Sequence, residues 1–237
     1  MKFLLIFLIC FSVFAQNPEV QSEHISADKY FTPAQIIVPV SLITAGTIIT
    51  ISGLNEIVED EMANHRCRKY NFDSFLQYAP HAALYGFSLF GVEAKHSYGE
   101  RTLLLATSGI FVLSAVVAKH TIKYPRPDTG QKNSFPSGHT ATAFWGAELV
   151  RREYPAWCGI IAYSAASTVG FMRIYNGRHW LGDVVAGAGF GILSTNAAYW
   201  LLPVNKRIFQ KSKHENSVTL SPYFNGNEAG LFLTLSM

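Results

Sequence analysis

Six apolar segments, at residues 36–54, 75–92, 102–118, 141–150, 156–174 and 184–202, recur along a chain of 237 residues. Several approach the roughly 20 residues that a helix needs to cross a bilayer, and lipid tolerates only backbone that satisfies its own hydrogen bonds. The fold class expected is therefore all-α, a membrane-embedded bundle of about five to six apolar helices. The segment at 141–150 is short. It reaches spanning length if residues 137–139 open its helix and Arg151 and Arg152 snorkel at the far end. Small residues such as Gly187, Gly189 and Gly191 let helices approach closely where lipid gives no hydrophobic drive for association. A soluble all-α protein with apolar helices is the alternative.

The rest of the chain divides by character. Residues 1–15 read as a signal peptide: Lys2, an apolar run over 3–14, then Ala15. An uncleaved anchor is the alternative, because Val13 stands where a second small residue belongs. A polar segment follows over 16–35, and 36–210 would form one domain. In the tail, 211–237, Val218, Leu220, Phe224, Leu231 and Leu233 surround Asn225-Gly226-Asn227, the pattern of a short β-hairpin. Three cysteines are too few for a disulfide scaffold, so Cys67 and Cys158 read as free thiols, while Cys10 falls in the leader. The net charge of +3 comes from bases spread along the chain, which argues against nucleic acid as a partner.

Three clusters carry chemistry, each beside an apolar segment: Lys119 with Arg126-Pro127; Pro136-Ser137-Gly138-His139; and Arg173, His179 and Asp183. A lone cation at the end of an apolar stretch is costly and is usually paired or functional. Three of them suit an anion, because the planar fork of Arg matches phosphate oxygens and Lys adds a compact charge. Ser137, Gly138 and His139 follow a break at Pro136, so a helix start would turn free N–H groups and its positive dipole end toward the same anion. His179 and Asp183 are four apart on a helical pattern, which lets the carboxylate fix the imidazole's tautomer and support charge on it during nucleophilic attack. His139 is then left for acid–base work.

The three clusters together resemble the signature of the type 2 phosphatidic acid phosphatase (PAP2) superfamily, K-x6-RP, then PSGH, then SR-x5-H-x3-D. The resemblance implies phosphate binding by Lys119, Arg126, Ser137, Gly138 and Arg173. It implies acid–base catalysis by His139, nucleophilic attack by His179 and orientation by Asp183, with no cofactor. Met172 stands where the family commonly has Ser, which puts one accessory hydroxyl contact in doubt. A metal site built from His139, His179 and Asp183 is the competing reading, since these are zinc-type ligands; the surrounding Lys and Arg would repel a cation, so no metal is expected. His81, His96 and His120 read as packed or solvated, Arg178 as a helper that steers anionic headgroups, and Glu56, Glu59, Asp60 and Glu61 as a solvated helix face.

The expected function is metal-independent hydrolysis of a membrane lipid phosphate through a phosphohistidine. The substrate would be a lipid A phosphate, undecaprenyl diphosphate, phosphatidylglycerophosphate or phosphatidic acid, and the bilayer the other partner. A periplasmic acid phosphatase on small esters, a vanadium haloperoxidase and an inactive lipid-binding protein are the alternatives. Basic residues on the far face, Lys95, Arg101, Arg151 and Arg152 among them, place the active site on the periplasmic side of a bacterial envelope membrane. A cleaved leader followed by six full spans would turn the site inward. The two signals agree only if segment 36–54 does not span fully.

Overall fold

The computed structural model describes residues 31–66, 70–215, 217–224 and 229–236, with side chains as far as residue 207. The leader, Cys10, Cys67 and the Asn225-Gly226-Asn227 turn lie outside the described residues.

Eight helices are present among the described residues: α1 (Ala34–Ile51), α2 (Leu54–His65), α3 (Asp73–Leu76), α4 (Ala79–Leu89), α5 (Tyr98–Thr121), α6 (Gly138–Glu153), α7 (Ala156–Tyr175) and α8 (Leu181–Glu215). Three are long and apolar enough to cross a membrane: α1, α5 and the 181–207 part of α8. The apolar run at 75–92 is divided, because Pro80 opens a new helix, α4, after the short α3. The 141–150 segment gains length as expected. Ser137 is the N-cap of α6, which runs for 16 residues to Glu153.

α6 is the hub, packed against α7, α4 and α5, while glycines of α8 lie against the backbones of α1 and α6. A Cβ on Gly46 of α1 would stand 2.5 Å from Ala186 N, and one on Gly189 would stand 2.6 Å from Pro39 O, so α1 and α8 touch backbone to backbone. The interior is built from Leu84, Leu104, Ala143, Ala147, Leu149, Val150, Ala166, Val169 and Ile192. Large apolar residues also cover the outside: Ile110, Leu113 and Val117 of α5 are exposed, whereas Arg101, Leu104, Ser108 and Ala115 of the same helix are buried. That reversal of the soluble pattern is what a helix between protein and lipid requires.

Polar side chains fix both ends of the bundle. α5 opens on a capping box, with Ser97 N donating to Glu100 Oε2 at 2.9 Å and Glu100 N to Ser97 Oγ at 3.4 Å. At that same end the buried Glu153 closes α6, accepting from His96 N at 3.1 Å, pairing with His96 Nδ1 at 2.9 Å and accepting from the Tyr199 hydroxyl. His96, expected to be unremarkable, thus belongs to a buried structural network. Asn196 Nδ2 donates to Gln35 O at 2.9 Å, placing the start of α1 near this part of α8. At the other end of α1, Thr50 O accepts from Tyr124 OH at 3.4 Å, and Thr50 lies against Gly182. α1 therefore lies along α8 from Gly182 to Asn196.

The chain divides into two compact units, one ending at Tyr199 and one starting at Trp200. The second contains the expected hairpin, β1 (Ser217–Phe224) and β2 (Ala229–Ser236), antiparallel, with Ser217 opposite Ser236 and Phe224 opposite Ala229. Cys158 is a free, buried thiol.

Candidate active site

Four helix ends converge: the last turn of α5 carries Lys119, the first turn of α6 carries Gly138 and His139, the last turn of α7 carries Arg173, and the first turn of α8 carries Asp183. The loop from Ile122 to Ser137 closes the cluster. Ser134 N donates to Tyr124 O at 2.9 Å and Arg126 N to Gln131 O at 3.0 Å, around a turn at Gly130 whose φ of 68° favours glycine. Ser137 N then donates to Asp183 O at 2.9 Å, tying the start of α6 to the start of α8.

The residues of the three sequence clusters meet there. Lys119 lies close enough to Arg126, Asp183 and Arg173 for their charges to act on it, and His139 likewise feels Arg173, Asp73, His179 and Arg126. Lys119 Nζ donates to Asn133 O at 2.7 Å and to Ser134 O at 3.3 Å; Arg126 Nε donates to Asn133 Oδ1 at 2.7 Å. Both cations are only part-buried, held by neutral oxygens rather than cancelled by carboxylates. Unlike α5, α6 has no side-chain bond at its N-cap: the Ser137 hydroxyl accepts from Thr140 Oγ1 at 2.9 Å and does not cap the helix. Its first N–H groups thus face the cluster without a side-chain acceptor, which suits an anion.

His179 lies in the turn between α7 and α8, 1% exposed, beside the wholly buried Asp183. Its Nδ1 stands 3.3 Å from Asp183 Oδ2 and 3.4 Å from Ser134 Oγ. The carboxylate is fastened in turn, with Oδ2 accepting from Trp180 N at 3.0 Å and from the Ser134 hydroxyl. A proton on Nδ1 directed at Asp183 leaves the Nε2 lone pair free. Burial lowers the His179 pKa from 6.5 to about 4 against the opposing pull of Asp183, so the ring is neutral near pH 7. A neutral imidazole with its carboxylate behind it, beside three cations, a second histidine and an open helix N-terminus, has the parts for phosphoryl transfer.

Three partners escaped sequence reasoning. Ser134 and Asn133 offer small polar side chains in a loop, with no periodicity to mark them. Asp73 pairs with Arg173 from 100 residues away, too far for any local pattern to reveal. Arg178, read as a headgroup guide, has its Nε 3.6 Å from Asp128 Oδ2. His120 is exposed, as expected.

Residues 101–207, which contain all three clusters, match the model of the PAP2 superfamily. The chain is similar to the lipid A 1-phosphatase of Porphyromonas gingivalis, with 32% identity over 164 residues that cover 67% of this chain and 37% of that protein. It is also similar to the undecaprenyl-diphosphatase of Sulfolobus acidocaldarius, with 39% identity over 54 residues, 23% of this chain and 26% of that one. It thus spans little more than a third of the longer-matching of these two relatives. Among solved structures, Aquifex aeolicus LpxE aligns with 24% identity and a TM-score of 0.44, covering 61% of this chain and 94% of that one. With the family's match running from α5 into α8 across Lys119, His139, His179 and Asp183, residues 101–207 form a PAP2 superfamily region.

Proposed function

We propose that the chain is a membrane-bound lipid phosphatase that works through a phosphohistidine on His179 and needs no metal. The carrying observation is the neutral, buried His179 backed by Asp183 within a cluster of Lys119, Arg126 and Arg173. The cations and the N–H groups of Ser137-Gly138-His139 hold the phosphoryl oxygens and offset the charge that grows on them. His179 Nε2 attacks phosphorus, the ester P–O bond breaks, and the leaving oxygen takes a proton from His139. Water then gives a proton to His139 as its oxygen attacks phosphorus; the P–N bond breaks with its electron pair returning to Nε2, which releases inorganic phosphate, leaves His179 neutral and returns His139 to its protonated form.

The exposed apolar surface of α1 and α5 supports a lipid over a soluble ester. The similarity to a curated lipid A 1-phosphatase favours a lipid A phosphate as substrate. The site faces the periplasm in this reading, because Lys95, Arg151 and Arg152 lie at the opposite end of α6. Phosphate release by the detergent-purified chain tests the assignment, using lipid A, undecaprenyl diphosphate, phosphatidylglycerophosphate, phosphatidic acid and a small aryl phosphate, each with and without EDTA. Turnover of lipid A that ignores EDTA is expected. Turnover confined to the aryl phosphate would exclude a lipid phosphatase, and loss to EDTA would exclude the metal-free mechanism.

A further inference from the structure

Arg173 is held differently from the other two cations. Lys119 and Arg126 donate to neutral oxygens, whereas Arg173 Nη1 donates to a carboxylate, Asp73 Oδ2, at 2.7 Å. Arg173 is 5% exposed and Asp73 1% exposed. An acid inside an anion site repels the ligand, so its presence needs a reason. Part of the reason is desolvation: a guanidinium this deep is costly without a counter-ion. That alone does not account for the geometry. Asp73 takes one edge of the guanidinium, while Arg173 Nε is buried with no hydrogen-bond partner. Orphaned donors of this kind are rare in an interior and call for an acceptor.

The segment that carries Asp73 is fastened to the turn that carries the nucleophile. Tyr70 N donates to Asn176 Oδ1 at 3.0 Å, Asn176 Nδ2 donates to Tyr70 O at 2.6 Å, and Arg66 Nε donates to Tyr175 O. Arg173 and His179 flank this turn, and Arg178 N and His179 N both donate to Arg173 O. Asp73, Arg173 and His179 are therefore held in one hydrogen-bonded block.

Building on the phosphatase reading, we propose that Asp73 is a positioning residue that clamps Arg173 Nη1 so that the orphaned Nε is presented to a phosphoryl oxygen. Asp73→Asn keeps an acceptor for Nη1 and removes the charge; Asp73→Ala removes both.

The test uses the full chain in detergent with two readouts: turnover of an aryl phosphate across pH, and stabilisation against heat by orthovanadate, which needs no catalysis. Asp73→Ala is expected to lose about 100-fold in kcat/KM, as a displaced anchoring group does, and to need more orthovanadate for the same stabilisation. Asp73→Asn should lose about tenfold or less, because its amide oxygen still accepts from Arg173 Nη1 and keeps the guanidinium in place. On an Arg173→Ala background, where no buried cation is left unpaired, removing Asp73 should change turnover by less than about twofold. Asp73→Ala that melts earlier but keeps wild-type kcat/KM, or that adds its whole loss on the Arg173→Ala background, would overturn the proposal. If Asp73→Ala does not fold, Asp73→Asn and the double variant decide it. A wild-type chain that binds orthovanadate but releases no phosphate would sink the phosphatase reading alone, with the Asp73 effect on orthovanadate still deciding this one; failure of both readouts in the wild type would sink both.

Discussion

Gly187 links helix packing to catalysis, and substituting it separates the two. A Cβ there would stand 2.6 Å from Ser137 O, with Thr140 Cβ at 3.3 Å and Ala141 N at 3.4 Å. Ordinary contact begins near 3.4 Å, so the start of α6 must retreat by about 0.8 Å, the difference between 3.4 and 2.6. That turn bears His139 and the open N–H groups, and a shift approaching 1 Å in such groups costs about 100-fold in rate, or about 2.7 kcal/mol of barrier. Overpacking should also take about 1–3 kcal/mol from stability. Gly189→Ala is the comparison: its Cβ would press on Pro39 O of α1 at 2.6 Å, a similar strain away from Ser137. Gly86→Ala, with nothing within 4 Å, is the control. Phosphate release and melting temperature in detergent should show Gly187→Ala losing both, Gly189→Ala losing mainly stability, and Gly86→Ala losing neither. Full activity in Gly187→Ala at a lowered melting temperature would refute the link between this contact and the catalytic turn.

Asp183→Asn should reduce kcat by about 10⁴-fold, because an amide can turn its NH₂ to Nδ1 and leave the proton on Nε2 of His179; steady-state turnover that stays within about tenfold of wild type would contradict the tautomer assignment. His179 is one contributor to the pH dependence of stability. Unfolded, it binds a proton below about 6.5, but folded only below about 4. Between those values the unfolded state holds more protons, so stability falls as pH falls through that window. The melting temperature should decline there less steeply in His179→Gln than in wild type, and parallel curves would count against the lowered pKa. Glu153→Ala strips acceptors from His96 and Tyr199 at the far end of α6. It should cost about 3 kcal/mol of stability while leaving kcat/KM of the folded fraction intact, and a loss of kcat/KM would show that the two ends are coupled.

The residues proposed for chemistry were legible because they announce themselves locally. Lys119, Arg173 and Asp183 fall at ends of apolar runs, where a charge has few structural excuses, and the i, i+4 spacing of His179 and Asp183 survives as a contact of 3.3 Å. The helix beginning at Ser137 was legible from the break at Pro136. Two kinds of feature were not. Asp73 and Ser134 act through contacts 100 and 49 residues distant in sequence, and no spacing rule registers such pairs. The seating of α1 along α8 was not legible either, because Pro39 and several Thr weaken a helix in isolation. In the bundle, Thr47 and Thr50 bond to carbonyls of their own helix, and Gly46 meets α8. Tertiary contact outweighs propensity there.

The most direct test is to trap the covalent intermediate. His139→Ala lacks the group that activates water, and an aryl phosphate with a good leaving group needs no acid to depart, so phosphorylated protein should accumulate. Mass spectrometry of that variant after brief exposure to the aryl phosphate, with EDTA present, should find the phosphoryl group on His179, acid-labile and absent when His179 is also replaced. Turnover by the wild type with no phosphoryl group on His179 in the trapped variant, or with the group on another residue, would contradict the account.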